Sequence, residues 1–283
     1  MTTPPAPAEL LPARWRRLPD SRASMGWQLA HTESLFAGLE AGSPPVVRWY
    51  WPKEPALVLG RSQRAERADL IAARAAGIAV FGRMSGGGAV LIDDHALSLD
   101  VALPSSHPLA SHDVTHAYRW IGEIWAEALR GLGIAQARAI PTEEVRALPA
   151  LPAEDPLRLA CYGTLSPWEV VVGRRKVVGL SQVRRRAGVV FPIGVHLHWE
   201  PGRLVDLLAV WPAARPRFIA ALRGAAAGLD ELTGRPVAAH EVIAAVEEAL
   251  QLRLGVRLTH SQWLPAEQAM AERLLSAQPQ PHV

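Results

Sequence analysis

The sequence is poor in two residue types that often carry chemistry. Its 283 residues include one cysteine, Cys161, and only two of its 30 basic residues are lysines, Lys53 and Lys176. A single cysteine excludes an internal disulfide and is typical of a reducing compartment, so we expect a cytoplasmic protein. Because arginine occupies nearly every other basic position, each lysine calls for a physical explanation of its own.

Long apolar runs, metal-ligand arrays and concentrated charge are also absent. No stretch of about 18 apolar residues occurs, which argues against a membrane-spanning helix and a membrane partner. His196 and His198 alternate on one predicted strand with no cysteine or carboxylate cluster beside them, so we expect no metal site. The net charge of +3 and the short arginine cluster at 184–186 do not indicate a nucleic-acid partner.

The chain does contain enough apolar material for one large domain. Hydrophobic residues make up 49% of it and charged residues 20%, as in globular proteins. Residues 1–7 are rich in proline, alanine and threonine and lack the basic-then-apolar order of a signal peptide. We predict a disordered tail over residues 1–14 and one folded domain over 15–277, with a helical C-terminal part from about residue 203.

Hydrophobic periodicity predicts helices and strands in alternating groups. Helical spacing is found at 28–39, 67–77, 115–133, 217–232, 238–255 and 265–277. Strand-like runs are found at 46–51, 56–60, 78–84, 89–92, 96–104, 168–172, 176–184 and 189–199. We expect the segments 89–92 and 96–104 to pair with each other. The order predicts an α+β fold, with mainly antiparallel mixed sheets packed against helices.

Three consecutive glycines follow the strand that ends near Met84. Gly86, Gly87 and Gly88 would let a ligand approach the backbone closely and would present N–H groups to a phosphate or carboxylate. Arg83 adds a positive charge. No Gly-Lys-Ser/Thr follows and the next element reads as a strand, so the loop is neither a P-loop nor a dinucleotide-binding fingerprint. A flexible hairpin turn explains the glycines equally well.

Cys161 lies in "LACYGTLSPWEVVV", an irregular segment, next to Gly163. A lone cysteine is most often an inert, buried, small hydrophobic residue. Loops held by a scaffold are, however, where reactive groups tend to lie, and a cationic neighbour would favour the nucleophilic thiolate. Both interpretations stay open on the residues alone.

Lys176 begins a predicted strand. Regular alternation would place it on one face with Val178 and Leu180, at the mouth of an apolar pocket. A compact ammonium can donate to one oxygen at close range, which a planar guanidinium does not imitate; the alternative is a solvated turn residue. A straight hairpin turning at 173–174 would leave Cys161 about 30 Å from Lys176, so the two can cooperate only if the loop between them folds back.

Three segments in this order resemble motifs of the biotin/lipoate protein ligase and octanoyltransferase family. "ALVLGRSQ" resembles its Gly-Arg-x-Gln strand, and "GRMSGGGAV" resembles its Arg-x-Ser/Thr-Gly-Gly-Gly/Arg-Ala-Val loop. "SPWEVVVGRRKVVGLSQVR" resembles its Pro-Ser-x-Tyr-Glu…Gly-Arg-Lys-Ile/Val-x-Gly-Ser-Ala-Gln-x-Arg segment. The resemblance spans about residues 28–277. It implies a biotin/lipoate ligase-like catalytic domain with a sheet-lined tunnel for a medium-chain acyl group.

The resemblance also implies roles for individual residues. Lys176 would hydrogen-bond the carbonyl that undergoes acyl transfer. One cysteine-using branch of the family carries its nucleophile in a Cys-Phe pair shortly before the third motif, where this chain has Cys161. The substrate-binding residues implied by the matching motifs are Arg83, Ser85, Gly86, Gly87, Gly88, Ala89, Val90, Gly179, Ser181 and Gly194.

The implied function is an octanoyltransferase that needs no cofactor. Octanoyl-acyl carrier protein would be the donor, Cys161 the site of a thioester, and a lysine of a lipoyl domain or of glycine-cleavage H protein the acceptor. Two alternatives stay open. An ATP-dependent lipoate ligase would need ATP and Mg, and the loop "SGGGAV" is closer to such ligases. A non-catalytic acyl-binding accessory protein fits "VVFPIGVHL", where the family usually has His-Gly.

Overall fold

A computed structural model of the protein describes residues 14–277. The predicted disordered tail lies outside the described residues except for Arg14, which begins the first strand. Within the described residues, no helix combines the length and apolar character needed to cross a bilayer.

Two β-sheets occupy the centre of the molecule. The strands are β1 (Arg14–Arg17), β2 (Ser21–Ala23), β3 (Val46–Pro52), β4 (Ala56–Leu59), β5 (Ala79–Gly82), β6 (Val90–Ile92), β7 (Ala96–Pro104), β8 (Arg138–Ala139), β9 (Val170–Val172), β10 (Arg175–Leu180), β11 (Val183–Arg185), β12 (Gly188–His196) and β13 (Arg257–His260). The larger sheet has the order β13-β1-β3-β7-β12-β10-β9-β8, with β2 beside β3 and β11 beside β12. The smaller sheet has the order β5-β4-β6.

Helices cover both sheets. They are α1 (Met25–Ser34), α2 (Leu70–Ala75), α3 (Arg119–Gly131), α4 (Thr142–Arg146), α5 (Gly202–Asp206), α6 (Arg215–Ala225), α7 (Leu229–Thr233), α8 (Ala239–Leu254) and α9 (Pro265–Ala277). Most strand neighbours are antiparallel; β1 with β3 and with β13, β2 with β3, and β4 with β5 are parallel. The predicted α+β class with mainly antiparallel mixed sheets is therefore confirmed.

Helix α3 shows why the strongest periodic segment was predicted correctly. Its residues Ile121, Ile124, Trp125 and Leu129 form one stripe and are fully buried against the larger sheet. Spacing of three to four residues places such side chains on one helix face, which is buried by packing against α8 and the sheet. The last helix, α9, begins and ends at the residues predicted for it.

The expected pairing of 89–92 with 96–104 is wrong. Strand β6 pairs with β4 in the smaller sheet, whereas β7 lies between β3 and β12 in the larger one. A turn held by the side chain of Asp93, which accepts from the N–H of His95 at 3.0 Å, carries the chain from one sheet to the other. Every residue of β7 is buried, as expected for a central strand covered on both faces.

The strand predicted at 176–184 is divided into β10 and β11 at Ser181 and Gln182. The four short strands β1, β2, β8 and β13 were not predicted. Strand β13 is mostly exposed, so it lacks the apolar alternation that marks a strand in sequence. It lies between the C-terminal helices and joins β1, with Trp15 opposite Leu258.

Candidate active site

A cavity of about 460 Å³ lies between the two sheets and is closed on one side by α1. Ten of the predicted site residues line it: Arg83, Ser85, Gly86, Gly87, Val90, Cys161, Lys176, Gly179, Ser181 and Gly194. Gly88 and Ala89 do not line it but lie behind its wall. Segments far apart in sequence therefore converge on one cavity.

One part of the cavity wall is apolar. Met25, Leu29, Val58, Val90 and Ile92 come from α1 and the smaller sheet and belong to one hydrophobic cluster that also includes Cys161. Burying an alkyl chain among such side chains gains about 0.8 kcal/mol per methylene. The wall is therefore suited to an alkyl chain of medium length.

The glycine loop and the Cys161 segment are joined through their backbones. The N–H of Cys161 donates to the carbonyl of Ala89 at 2.8 Å, and the N–H of Ala89 donates to the carbonyl of Leu159 at 2.7 Å. A Cβ at Gly88 would lie 2.7 Å from the Cys161 nitrogen. Only glycine therefore permits this close approach, which fixes the thiol beside the loop.

Arg83 connects the loop to the sulfur. Its Nη2 donates to the carbonyls of Gly86 and Gly88, both at 2.9 Å, and lies 3.7 Å from Cys161 Sγ. Gly87 has φ +99°, a conformation that side chains rarely adopt, and a Cβ there would lie 2.8 Å from Arg83 Nη2. The loop thus wraps around the guanidinium and places a positive charge beside the sulfur.

Several donors beside the sulfur have no protein partner. Among residues 14–277, the N–H groups of Gly86, Gly87 and Gly88 make no hydrogen bond, and neither does the hydroxyl of Ser85, a residue only 2% exposed. The Ser85 hydroxyl is buried, and a buried polar group without a partner is rare and costs free energy, whereas Gly86 and Gly87 are exposed residues with free N–H donors. A loop that presents them beside a nucleophile can stabilise a developing negative charge.

Lys176 lies close to Cys161, as cooperation between them requires. Its Nζ donates to the Cys161 carbonyl oxygen at 2.8 Å and lies 2.8 Å from Glu169 Oε2, and its side chain is 2% exposed. The loop between Cys161 and β9 therefore folds back across the sheet, and a solvated Lys176 is excluded. An ammonium has three N–H donors, so one remains for a ligand in the cavity.

The face predicted for Lys176 is correct in part, because Lys176 and Leu180 both line the cavity whereas Val178 does not. A β-bulge between Lys176 and Val178 shifts the pairing of β10 with β9. Lys176 pairs with Val171 and Val178 pairs with Val170, so β10 has one extra residue between these two pairs. Lys176 consequently lies on the side of Gly179, which faces Tyr162, whereas Val178 is fully buried in the main core. Alternation counted along the sequence cannot reveal such an insertion.

Glu169 is the main residue of the site that sequence reasoning missed. It is 2% exposed, and its Oε2 also accepts from the N–H of Ser166 at 2.7 Å, while Oε1 accepts from the N–H of Leu180 at 3.3 Å. Burial raises the pKa of the Glu169 carboxyl, and the ion pair with Lys176 and the two N–H donors oppose that rise. Its signal in the sequence was the glutamate of the third motif, directly before three valines.

Tyr162 covers the paired glycines of the sheet. Gly179 stands opposite Gly194, and the Tyr162 hydroxyl donates to the Gly194 carbonyl at 2.7 Å. Burial raises the pKa of the Tyr162 phenol, so the hydroxyl stays protonated. The ring also contacts His196, with 4.7 Å between ring centroids. The residue following the cysteine thus holds the cysteine segment against β12.

Pro192 lies in the segment "VVFPIGVHL", where the family usually has His-Gly, and Ser181 bonds to its carbonyl. The carbonyl of Pro192 accepts from both the N–H and the hydroxyl of Ser181, at 3.0 and 2.8 Å. The hydroxyl of Ser181 therefore bonds to the chain itself within the cavity wall.

No group of three or more His, Cys, Asp and Glu residues is placed to hold a metal ion in the described part of the chain.

Comparisons with known proteins agree with this geometry. Residues 24–251 match the family described as lipoyl protein ligase A/B catalytic domain. The chain is 32% identical over 266 residues to an octanoyltransferase LipM of Kyrpidia tusciae, covering 93% of this chain and 95% of that protein. It is 32% identical over 271 residues to an octanoyltransferase LipM of Exiguobacterium sibiricum, covering 93% and 96% respectively.

Solved structures share the fold at lower identity. A bi-partite lipoate protein ligase of Thermoplasma acidophilum is similar with a TM-score of 0.74 and 22% identity, over 94% of this chain and 93% of that one. A lipoate-protein ligase A bound with ATP is similar with a TM-score of 0.72 and 22% identity, over 94% and 95%. The expected lipoate ligase-like fold is confirmed. The chain therefore belongs to the lipoyl protein ligase A/B catalytic domain family, and it is an acyltransferase.

Proposed function

We propose that the protein transfers an octanoyl group to a lysine side chain of a lipoyl-bearing protein through a thioester on Cys161. The observation that carries the proposal is the convergence of three groups on one apolar cavity: the Cys161 thiol, the Arg83 guanidinium 3.7 Å from its sulfur, and the Lys176 ammonium. The relatives named octanoyltransferase LipM support octanoate as the acyl group.

In the first step the Cys161 thiolate attacks the carbonyl carbon of an octanoyl thioester. A carbon–sulfur bond to Cys161 forms, and the carbonyl oxygen becomes an oxyanion. The remaining N–H of Lys176 and the unpartnered N–H groups of the glycine loop are the donors that stabilise it. Collapse of the intermediate releases the donor thiolate, which takes up a proton and departs.

In the second step the neutral amine of the acceptor lysine attacks the Cys161 thioester. The same donors receive the second oxyanion, the bond to sulfur breaks, and an amide forms. Cys161 regains its thiolate and the nitrogen loses a proton to solvent. Neither step requires ATP or a metal ion.

The proposal includes the donor, the acceptor and the compartment. Octanoyl-acyl carrier protein is the donor, and a lipoyl domain or glycine-cleavage H protein is the acceptor. A thiol nucleophile works only while it is reduced, which supports a cytoplasmic location.

The test is the acyl-enzyme itself. We expect incubation with octanoyl-acyl carrier protein to add one octanoyl group, located on Cys161 by intact-mass and peptide mass spectrometry. The Cys161→Ser variant should gain no thioester and should transfer no octanoate to a lipoyl domain. Transfer that continues at the original rate without Cys161 would refute the mechanism.

An ATP-dependent lipoate ligase is the second candidate, because unpartnered N–H groups in a glycine loop also suit a phosphate. Such a ligase needs no cysteine. Lipoylation of a lipoyl domain by Cys161→Ser, given lipoate, ATP and Mg, would favour it. Tight octanoate binding without turnover from either acyl source would instead indicate an acyl-binding accessory protein.

A further inference from the structure

Glu169, which forms an ion pair with Lys176, is as deeply buried as Lys176 itself. The two side chains are 2% and 3% exposed, and the Lys176 Nζ to Glu169 Oε2 distance is 2.8 Å. Removing two charges from water is costly unless they are paired and their other hydrogen-bonding positions are satisfied. The N–H groups of Ser166 and Leu180 supply that satisfaction on the carboxylate side. A buried pair of this kind often adds little net stability, so stability alone does not explain its presence here.

The turn that presents Glu169 is strained. Trp168 has φ +69° and is the non-glycine residue with positive φ in the described chain. A bulky side chain in that conformation persists only where its surroundings over-determine it, and such positions cluster at functional sites. Here the Trp168 N–H donates to the Ile140 carbonyl, and the Ile140 N–H donates to the Glu169 carbonyl at 2.9 Å. These bonds fix the backbone on both sides of the carboxylate.

Helix α3 supports the turn from the side away from the cavity. A Cβ at Gly122 would overlap the Trp168 carbonyl oxygen, so the helix backbone touches the turn there without room for a methyl group. The Arg119 guanidinium lies over the Trp168 ring, 5.4 Å from its centroid. Neither residue lines the cavity. The turn is therefore held by a rigid element that takes no part in the chemistry.

We propose that Glu169 is a positioning residue that fixes the direction of the Lys176 ammonium, and that α3 sets its place through Gly122 and Trp168. The inference rests on the proposed acyl transfer. Lysine has a flexible stem and three rotatable donors. With the Cys161 carbonyl and the Glu169 carboxylate each engaging one donor, the third is directed into the cavity, where an acyl carbonyl would lie.

The experiment measures single-turnover octanoylation of Cys161 from octanoyl-N-acetylcysteamine, a small donor, over a range of donor concentrations. Glu169→Gln keeps the size and an acceptor oxygen of the side chain but removes its charge. We expect its maximal rate to fall by about 10²-fold, as a misplaced catalytic group does, with the half-saturating donor concentration unchanged. In a Lys176→Met background, adding Glu169→Gln should cause no further loss.

Two results would overturn the positioning role. One is a Glu169→Gln variant that is acylated at the wild-type maximal rate. The other is a double variant whose maximal rate is lower than that of Lys176→Met by the same factor by which Glu169→Gln alone lowers the wild-type rate, because independent effects multiply. A wild-type protein that gains no octanoyl group would refute the proposed function as well, so the two failures are distinguishable.

Gly122→Ala provides a second variant should Glu169→Gln fail to fold. The added methyl should move the turn and lower the maximal rate, again without changing half-saturation. Gly131→Ala is the matched control, because Gly131 is the last residue of α3 and a Cβ there meets nothing within 4 Å. Cys161 of this variant should be octanoylated at the wild-type rate. Equal rates for Gly122→Ala and Gly131→Ala in folded proteins would contradict the support by α3.

Discussion

His196 is a buried imidazole whose titration should make the fold sensitive to acid. It is 5% exposed and lies between the cavity that contains Cys161 and a second cleft lined by His95 and His198. Burial, with smaller contributions from those two histidines, lowers its pKa from 6.5 to about 3. The folded protein therefore holds the ring neutral down to low pH, whereas the unfolded chain protonates it near its ordinary pKa.

The sign and size of the effect follow from proton linkage. Above about pH 6.5 neither state binds the proton, and the full stability is present. Between about pH 6.5 and about pH 3 only the unfolded state binds it, so the free energy of unfolding falls by about 1.4 kcal/mol per pH unit. At about pH 5 the loss attributable to His196 is about 2 kcal/mol.

The assay is equilibrium urea unfolding of the wild-type protein and of His196→Asn, at about pH 7.5 and about pH 5. The substitution has its own packing cost, but that cost is independent of pH, so the difference between the two conditions isolates the titration. His31 and His107, whose pKa values burial lowers to about 4, contribute equally in both proteins and cancel. Wild-type and variant proteins that lose the same stability on acidification would refute the reasoning.

Three further substitutions test the rest of the site and core. Gly88→Ala would push a methyl group into the backbone of Ala160, so urea unfolding should show a loss of about 1–3 kcal/mol, together with slower acylation. Lys176→Arg should reduce acyl transfer by about 10²-fold or more with an unchanged circular dichroism spectrum, because a planar guanidinium does not replace an ammonium held between two oxygens; near-normal turnover would contradict its role. Arg48 and Asp100 pair at 2.8 Å with both side chains fully buried. Asp100→Asn should cost about 3–5 kcal/mol in thermal unfolding, and a smaller cost would mean that water reaches the arginine.

Local patterns explain how much of the fold could be predicted from the sequence. Helices α3 and α9 carry an apolar stripe or clear end signals, and the strand that became β7 is a long apolar run. Its partner was predicted wrongly because apolarity marks a strand but does not choose among buried neighbours. Strands β1 and β13 depend on each other across nearly the whole chain, so neither has a local signal.

The site divides in the same way. Gly87 and Lys176 were noticed because their residue types are unusual where they stand, and the motifs gave them an order. Their geometry depends on tertiary contacts that the sequence does not display: the pairing of Ala89 with Ala160, the bulge in β10, and the burial of Glu169. The bulge in particular separates Lys176 from Val178, which regular alternation would place on the same face.

The pairing of β1 with β13 has a consequence for how the protein is made. Strand β1 lies between β3 and β13, and Arg16 within it donates to Glu267 of α9 at 2.7 Å. A chain emerging from the ribosome therefore presents β1 with one side unpaired until Arg257–His260 have been synthesised. Contacts that join distant parts of a chain form late, because loop closure must precede them. We expect this edge of the sheet to be completed only after β13 has been synthesised, which leaves one side of β1 open to chaperones that shield strand edges until then.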